Sequence, residues 1–278
     1  MDFTLAVEPL YSVCGFAGGL LVGMTGVGGG SLMTPLLILL FGVPPATAVG
    51  TDLLFAAATK TGGSLVHGLA RTIDWTVVRR LASGSVPSTA LTLLVLSRFD
   101  VHGAAIRDLI TSVLSVSLLV TAGLLIYRRK LLTFYAARVG ELSARRTNRL
   151  TFLSGAVLGV LVSISSVGAG AIGVTILILL YPHLPMARIV GSDIAHAVPL
   201  TLVAGLGHWM LGSVDWHVFG SLLVGSLPGI FLGSYLSARV AELALRIILA
   251  LTLAVVGSKL ALDQIQNHLS ILMSSPSQ

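Results

Sequence analysis

The sequence predicts an all-α polytopic membrane protein of two homologous, inverted repeats, each with a glycine-tipped broken or re-entrant helical hairpin plus three transmembrane helices. Composition is the first of three observations behind this. Of 278 residues, 55% are hydrophobic and only 10% charged, where a soluble domain carries about 25% charged residues. Mean hydropathy is +0.96, and apolar runs recur over almost the whole length. The second observation is the cluster Gly23-Met24-Thr25-Gly26-Val27-Gly28-Gly29-Gly30-Ser31 inside apolar sequence, with a related string, Ser163-Ile164-Ser165-Ser166-Val167-Gly168-Ala169-Gly170, in the second half. The third is that the halves align. Gly15, Gly19, Val27, Gly28 and Gly30 match Gly155, Gly159, Val167, Gly168 and Gly170, and after one inserted residue Gly50-Thr51-Asp52 matches Gly191-Ser192-Asp193. His67, Asp74-Trp75 and Pro87 then match His208, Asp215-Trp216 and Pro228. Such shared spacing marks an internal duplication.

As one helix, Leu10 to Phe41 would be about 48 Å long, against a hydrocarbon core of about 30 Å. The glycines are therefore expected to break it into helices over 5–24 and 31–42. Consecutive glycines weaken a helix at every position, so Gly28 to Gly30 fit a break better than packing, whereas Gly15-Gly19-Gly23 suits close helix packing. Helices over 46–70, 76–97 and 104–127 complete the first half. The second half yields 150–163, 170–182, 186–211, 217–237 and 241–261. Pro45 and Pro185 suit first helical turns. Asp74 and Asp215 suit caps, with Trp75 and Trp216 as interfacial anchors, and Pro87, Pro199 and Pro228 suit kinks. The resulting division is a first membrane repeat (1–127), a basic cytoplasmic linker (128–149), a second membrane repeat (150–262) and a polar C-terminal tail (263–278). In the linker, Leu131, Tyr135, Arg138 and Leu142 recur at helical spacing, as in a basic amphipathic helix on the membrane surface.

The charge pattern orients the repeats. If each broken segment folds back as a hairpin, Arg71, Arg79, Arg80, the seven basic linker residues, Arg188, Arg239 and Arg246 share the cytoplasmic face, and only Arg98, Arg107 and Lys259 lie outside. Thirteen against three is a stronger positive-inside bias than the eleven against five of parallel repeats, so inversion is favoured. The start, Met1-Asp2-Phe3-Thr4, lacks the basic n-region of a secretory signal and is expected to be retained. Cys14 is the single cysteine, which excludes an internal disulfide and makes a cysteine metal site implausible.

Irregular backbone at membrane depth needs protein or a wet cavity to satisfy it, and the positive end of a broken helix favours an anion there. Gly28, Gly29, Gly30 and Ser31, with Gly168, Ala169 and Gly170, are therefore the candidate anion-binding residues. Asp52 and Asp193 lie about 10 Å inside their helices, where an ionisable group is a functional candidate by default; the alternative is that Gly50 and Gly191 interrupt the helices and the aspartates cap the new starts. An anion carrier should repel two bare carboxylates, so the aspartates are assigned to proton coupling or gating. His196, three residues after Asp193, suits a proton relay or a packing contact. Lys60 lies about 12 Å along the helix from Asp52 and on another face. It is expected either to hold an oxyanion or to snorkel to the interface, and its repeat counterpart is Thr201. Thr51, Ser192, His67 and His208 are weaker candidates.

Gly-Val-Gly-Gly-Gly-Ser (26–31), Pro-Pro-Ala-Thr-Ala-Val-Gly-Thr-Asp (44–52) and Gly-Ser-Val-Asp-Trp (212–216) resemble the TauE/SafE sulfite-exporter family of permeases, over nearly the whole chain. The resemblance implies a bacterial-type inner-membrane carrier of sulfite, organosulfonates or related sulfur-containing anions, coupled to the proton gradient. Ala169 and Ala171 stand where the first half has Gly29 and Ser31, so the two anion nests should differ. The expected partners are a small anion and the lipid bilayer, without nucleic acid or cofactor, and a homodimer is compatible with such a chain. The rival readings are a passive anion channel, a divalent-metal carrier, for which the histidines and aspartates are badly spaced, and an intramembrane enzyme. Against the enzyme, no serine–histidine dyad, HExxH motif or cysteine cluster is present.

Overall fold

The computed structural model describes residues 8–25, 30–138, 143–237 and 242–274. Among them are ten α-helices: α1 (Pro9–Thr25), α2 (Gly30–Phe41), α3 (Pro45–Leu69), α4 (Trp75–Leu96), α5 (Ala104–Arg138), α6 (Ala144–Ser165), α7 (Ala171–Leu180), α8 (Met186–Met210), α9 (Trp216–Ser237) and α10 (Glu242–Ser274). Each expected segment is present. Segments of five helices are long and apolar enough to cross a membrane (Ala104–Arg128, Ala144–Ser165, Met186–Met210, Trp216–Gly233 and Arg246–Asn267), and Pro9–Leu21, Leu32–Phe41 and Ala171–Leu180 are shorter apolar stretches. The chain is a multi-pass membrane protein.

The largest boundary differences from expectation are at the ends of α5 and α10 and the start of α6. α5 continues past 127 to Arg138, and α10 past 261 to Ser274, because no glycine or proline stands between Tyr127 and Arg138 or between Ser258 and Ser274 to stop them. The basic stretch after Tyr127 is therefore a continuation of α5, and Ala144 to Arg149 already belong to α6, so the expected surface helix gives way to the ends of two longer ones. Leu142 lies outside the described residues.

Helix packing follows the repeat. α1 packs on α9 and α6 on α4, while α3 packs on α8 and α5 on α10. The first two pairs exchange when one half is laid on the other, and the last two map onto themselves. Gly15 abuts Leu222 and Gly19 abuts Ser226, so α1 and α9 run parallel; Gly155 abuts Leu81 and Gly159 abuts Ser85 in the matching pair. The self-matched pairs run the other way. Gly50 meets His208, Gly205 meets Leu54, Gly63 meets Ile194 and Gly191 meets His67, so α3 and α8 are antiparallel. In α5 and α10, Gly257 meets Leu118, whereas Gln264 donates to the Asp108 carbonyl (2.8 Å).

These contacts gather one end of the bundle. α8 begins where α3 ends, α4 and α6 begin side by side, and Arg128 Nη2 donates to Met186 Sδ (3.3 Å). Arg71, Arg79, Arg80, Arg128, Arg145, Arg146, Arg149 and Arg188 thus share one end.

The α1–α9 seam also carries Gly225, Gly229 and Gly233, each facing α1 backbone, a small-residue contact of the kind that lets membrane helices approach closely. A side chain at Gly225 would collide with the Ser12 carbonyl, whereas Gly62 faces open space. Gly225→Leu is expected to lower the melting temperature in detergent sharply. Gly62→Ala should be neutral or stabilise by up to about 1 kcal/mol.

Candidate functional site

α3 and α8 run unbroken through Gly50 and Gly191, so neither aspartate caps a new helix start. These glycines are needed for close approach: a Cβ at Gly50 would strike the Ser213 carbonyl, and one at Gly191 the Thr72 carbonyl. The loops that follow α8 and α3 close over these two positions.

Asp52 is fully buried. Its Oδ2 accepts from Thr34 Oγ1 (2.6 Å), Thr34 N (3.2 Å) and Ser166 Oγ (2.9 Å). It therefore ties α2 of its own repeat to the α6–α7 break of the other. Asp193, 2% exposed, faces the first turn of α7, where its Oδ1 lies against Gly173 and has no partner among the described residues. Each carboxyl thus borders the start of the short helix in its own repeat, the end that favours negative charge. Contacts along the antiparallel pair put Asp193 level with residues near 65 of α3, so the two aspartates are about 20 Å apart along the axis.

Lys60 lies between them and is close enough to interact with both carboxyls. It forms no ion pair with Asp52; Nζ donates instead to the Ala169 carbonyl (2.7 Å). It is 7% exposed and is the one buried lysine or arginine among the described residues, so it does not snorkel. The backbone it holds is irregular: Ser166 is left-handed (φ 58°), and Gly168 (φ 129°) and Gly170 (φ 143°) take conformations that favour glycine. Residues 166 to 171 are buried, and the amides of Gly168 to Ile172 have no hydrogen-bond acceptor among the described residues. In a trans peptide C=O and N–H point opposite ways. By holding the Ala169 carbonyl, Lys60 therefore turns the Gly170 N–H away from itself.

The break and its attached side chains form a preorganised, buried cluster of amide donors with one cation and two carboxyls. A model of the sulfite exporter TauE/SafE family matches residues 11–260 of this chain. The chain belongs to the TauE/SafE sulfite exporter family. It is similar to the probable membrane transporter protein YjnA of Bacillus subtilis, 39% identical over 87% of this chain and 95% of that one. It is also similar to a probable membrane transporter protein of Methanocaldococcus jannaschii, 25% identical over 91% of this chain and 95% of that one. No solved structure matches it. TauE/SafE proteins form a membrane transporter family, and the buried cluster is set in that context.

The other candidates in this TauE/SafE chain are placed as follows. His196 is buried and its Nε2 pairs with Ser85 Oγ of α4 (2.8 Å), not with Asp193, while Nδ1 has no partner among the described residues. Thr51 Oγ1 accepts from Asp215 N (3.0 Å) and Ser192 Oγ from Asp74 N (2.8 Å), so these matched hydroxyls hold the start of a helix in the opposite repeat. Asp74 and Asp215 cap α4 and α9 as expected, each accepting two backbone amides. His67 Nδ1 lies 2.8 Å from Thr72 Oγ1, and His208 Nε2 donates to the Ser163 carbonyl (2.9 Å). Gly28 and Gly29 lie outside the described residues; Gly30 and Ser31 open α2. Sequence reasoning passed over Thr34, Gly173 and Ser213. Thr34 carried a signal, one of two hydroxyls (with Ser31) in an otherwise apolar twelve-residue helix.

Proposed function

We propose that this protein is a secondary active carrier of small sulfur-containing anions (sulfite, an organosulfonate or a related oxyanion), coupled to protons and working by alternating access in a bacterial-type inner membrane. The observation that carries the reading is the buried α6–α7 break, where amides without an acceptor among the described residues lie beside Lys60. Amides and an ammonium together suit an oxyanion. Two carboxyls near that site repel an anion unless one is neutralised, and a proton that travels with the anion does so. We further read the halves as inverted repeats. Support comes from the antiparallel runs of the repeat-matched pairs α3/α8 and α5/α10, and from the arginines gathered at one end, which the positive-inside rule makes cytoplasmic. Inversion gives one site two exchangeable exits, the geometry alternating access needs.

The test is uptake of labelled sulfite into proteoliposomes with and without an imposed pH gradient, against thiosulfate, sulfate and a short sulfonate. Saturable uptake driven by the gradient is the expected result. Flux linear in concentration and blind to the gradient would replace the carrier with a channel.

A further inference from the structure

His67 and His208 end matched helices, and the loops after them fold alike. Thr72 N donates to the His67 carbonyl (3.0 Å) and Ser213 N to the His208 carbonyl (2.9 Å). Thr72 and Ser213 are repeat counterparts, and both loops close over matched glycines, Gly191 and Gly50. The rings nevertheless have different partners. His67 holds its own loop through Nδ1 and Thr72 Oγ1. The matching atoms in the second repeat, His208 Nδ1 and Ser213 Oγ, are both buried without a partner among the described residues. His208 reaches instead through Nε2 to the Ser163 carbonyl in the last turn of α6. A carbonyl only accepts, so Nε2 carries the proton in that bond.

One residue type in one local frame thus occupies two arrangements, loop-bound in the first repeat and hairpin-bound in the second. Leaving two buried polar atoms unpaired is costly, so the hairpin-bound form persists through what the α6 contact provides. That contact acts with two neighbours, Asp52 to Ser166 and Lys60 to the Ala169 carbonyl, which hold the same break against α3.

We infer that His67 and His208 are paired gate residues, each alternating between the loop hydroxyl of its own repeat and the end of the preceding broken helix, with one engaged at a time. The present arrangement has the α6–α7 break latched. The exchanged arrangement pairs His208 with Ser213 and brings His67 to the carbonyl of Gly23, the counterpart of Ser163. This inference rests on the alternating-access reading above. It makes the two histidines positioning residues, distinct from the groups that hold the anion.

The test uses Cys14→Ser/Ala169→Cys, with one thiol beside the latch, and a membrane-impermeant maleimide applied to sealed vesicles at the face opposite the arginine-rich end. Thr72→Val removes the hydroxyl that pairs with His67 in the present arrangement only, so it should raise the labelling rate about fivefold, the weight of one hydrogen bond. Ser213→Ala removes the hydroxyl that would pair with His208 in the exchanged arrangement only, so it should lower the rate by a similar factor. Both variants leave the two rings in place. Unchanged labelling, or the same direction of change for Thr72→Val and Ser213→Ala, overturns the inference. Labelling requires no substrate. Sulfite flux with unmoved labelling would therefore remove the gate and keep the carrier, whereas shifted labelling without sulfite flux would keep the gate and remove the substrate.

Discussion

Asp52→Asn is expected to abolish accumulation of sulfite driven by a pH gradient while leaving sulfite–sulfite exchange within about a factor of five of the parent, roughly the weight of one hydrogen bond. The amide oxygen can still accept from Thr34 and Ser166, which approach Asp52 Oδ2 at 2.6 and 2.9 Å, so the tie between α2 and the α6–α7 break survives. What is lost is the group that can carry a proton. Asp52→Ala separates the two roles, because it leaves the Thr34 and Ser166 hydroxyls and the Thr34 amide without their acceptor. At about 1–3 kcal/mol per unsatisfied buried group, exchange should fall on the order of 100-fold as well. Counterflow and gradient-driven uptake, measured on the same proteoliposomes, distinguish the two variants. Accumulation by Asp52→Asn equal to the parent would remove Asp52 from proton coupling.

The second large effect is expected at Lys60. With Lys60→Met, the Ala169 carbonyl loses its donor and the two buried carboxyls lose the one buried lysine or arginine among the described residues. Uncompensated charge at membrane depth costs several kcal/mol, so flux should drop on the order of 100-fold or more, and sulfite should no longer raise the melting temperature in detergent. Lys60→Arg keeps a donor and a charge but places a larger planar group in a packed site, at about 1–3 kcal/mol. It should retain part of the thermal shift and a reduced rate. Parent-like transport by Lys60→Met would show that neither the amide orientation nor the charge matters.

Much of this site was readable from residues alone, for reasons that are local. An aspartate or lysine in an apolar run is costly wherever the run packs, so Asp52, Lys60 and Asp193 declared themselves without any knowledge of neighbours. The α6–α7 break was legible because Gly168 and Gly170 weaken a helix there, and the repeat because spacing is preserved by duplication. The helix ends beyond Tyr127 and Ala261 were misjudged for the converse reason: a fall in hydropathy marks where apolar sequence stops, whereas only a breaker or a cap stops a helix.

Partners were another matter. Lys60 was placed correctly away from Asp52 by the helical angle, yet its acceptor lies 109 residues further along the chain, and nothing in either segment points to the other. In sequence Gly50 and Gly191 offer only the reading of helix interruptions; the Ser213 and Thr72 carbonyls packed against them make them points of close approach. Thr51 and Ser192 are weaker site candidates in sequence, and each holds a helix start in the opposite half. Residue identity and spacing alone determined the all-helical membrane class, the duplicated halves, the α6–α7 break and the buried polar positions, because burial cost and helix propensity act within a single turn. Only the tertiary structure decided which carbonyl, hydroxyl or carboxyl each of those positions meets. Apolar helix faces are nearly interchangeable in sequence, and the docking of α3 against α8 and of α6 beside them selects one arrangement from many of similar composition.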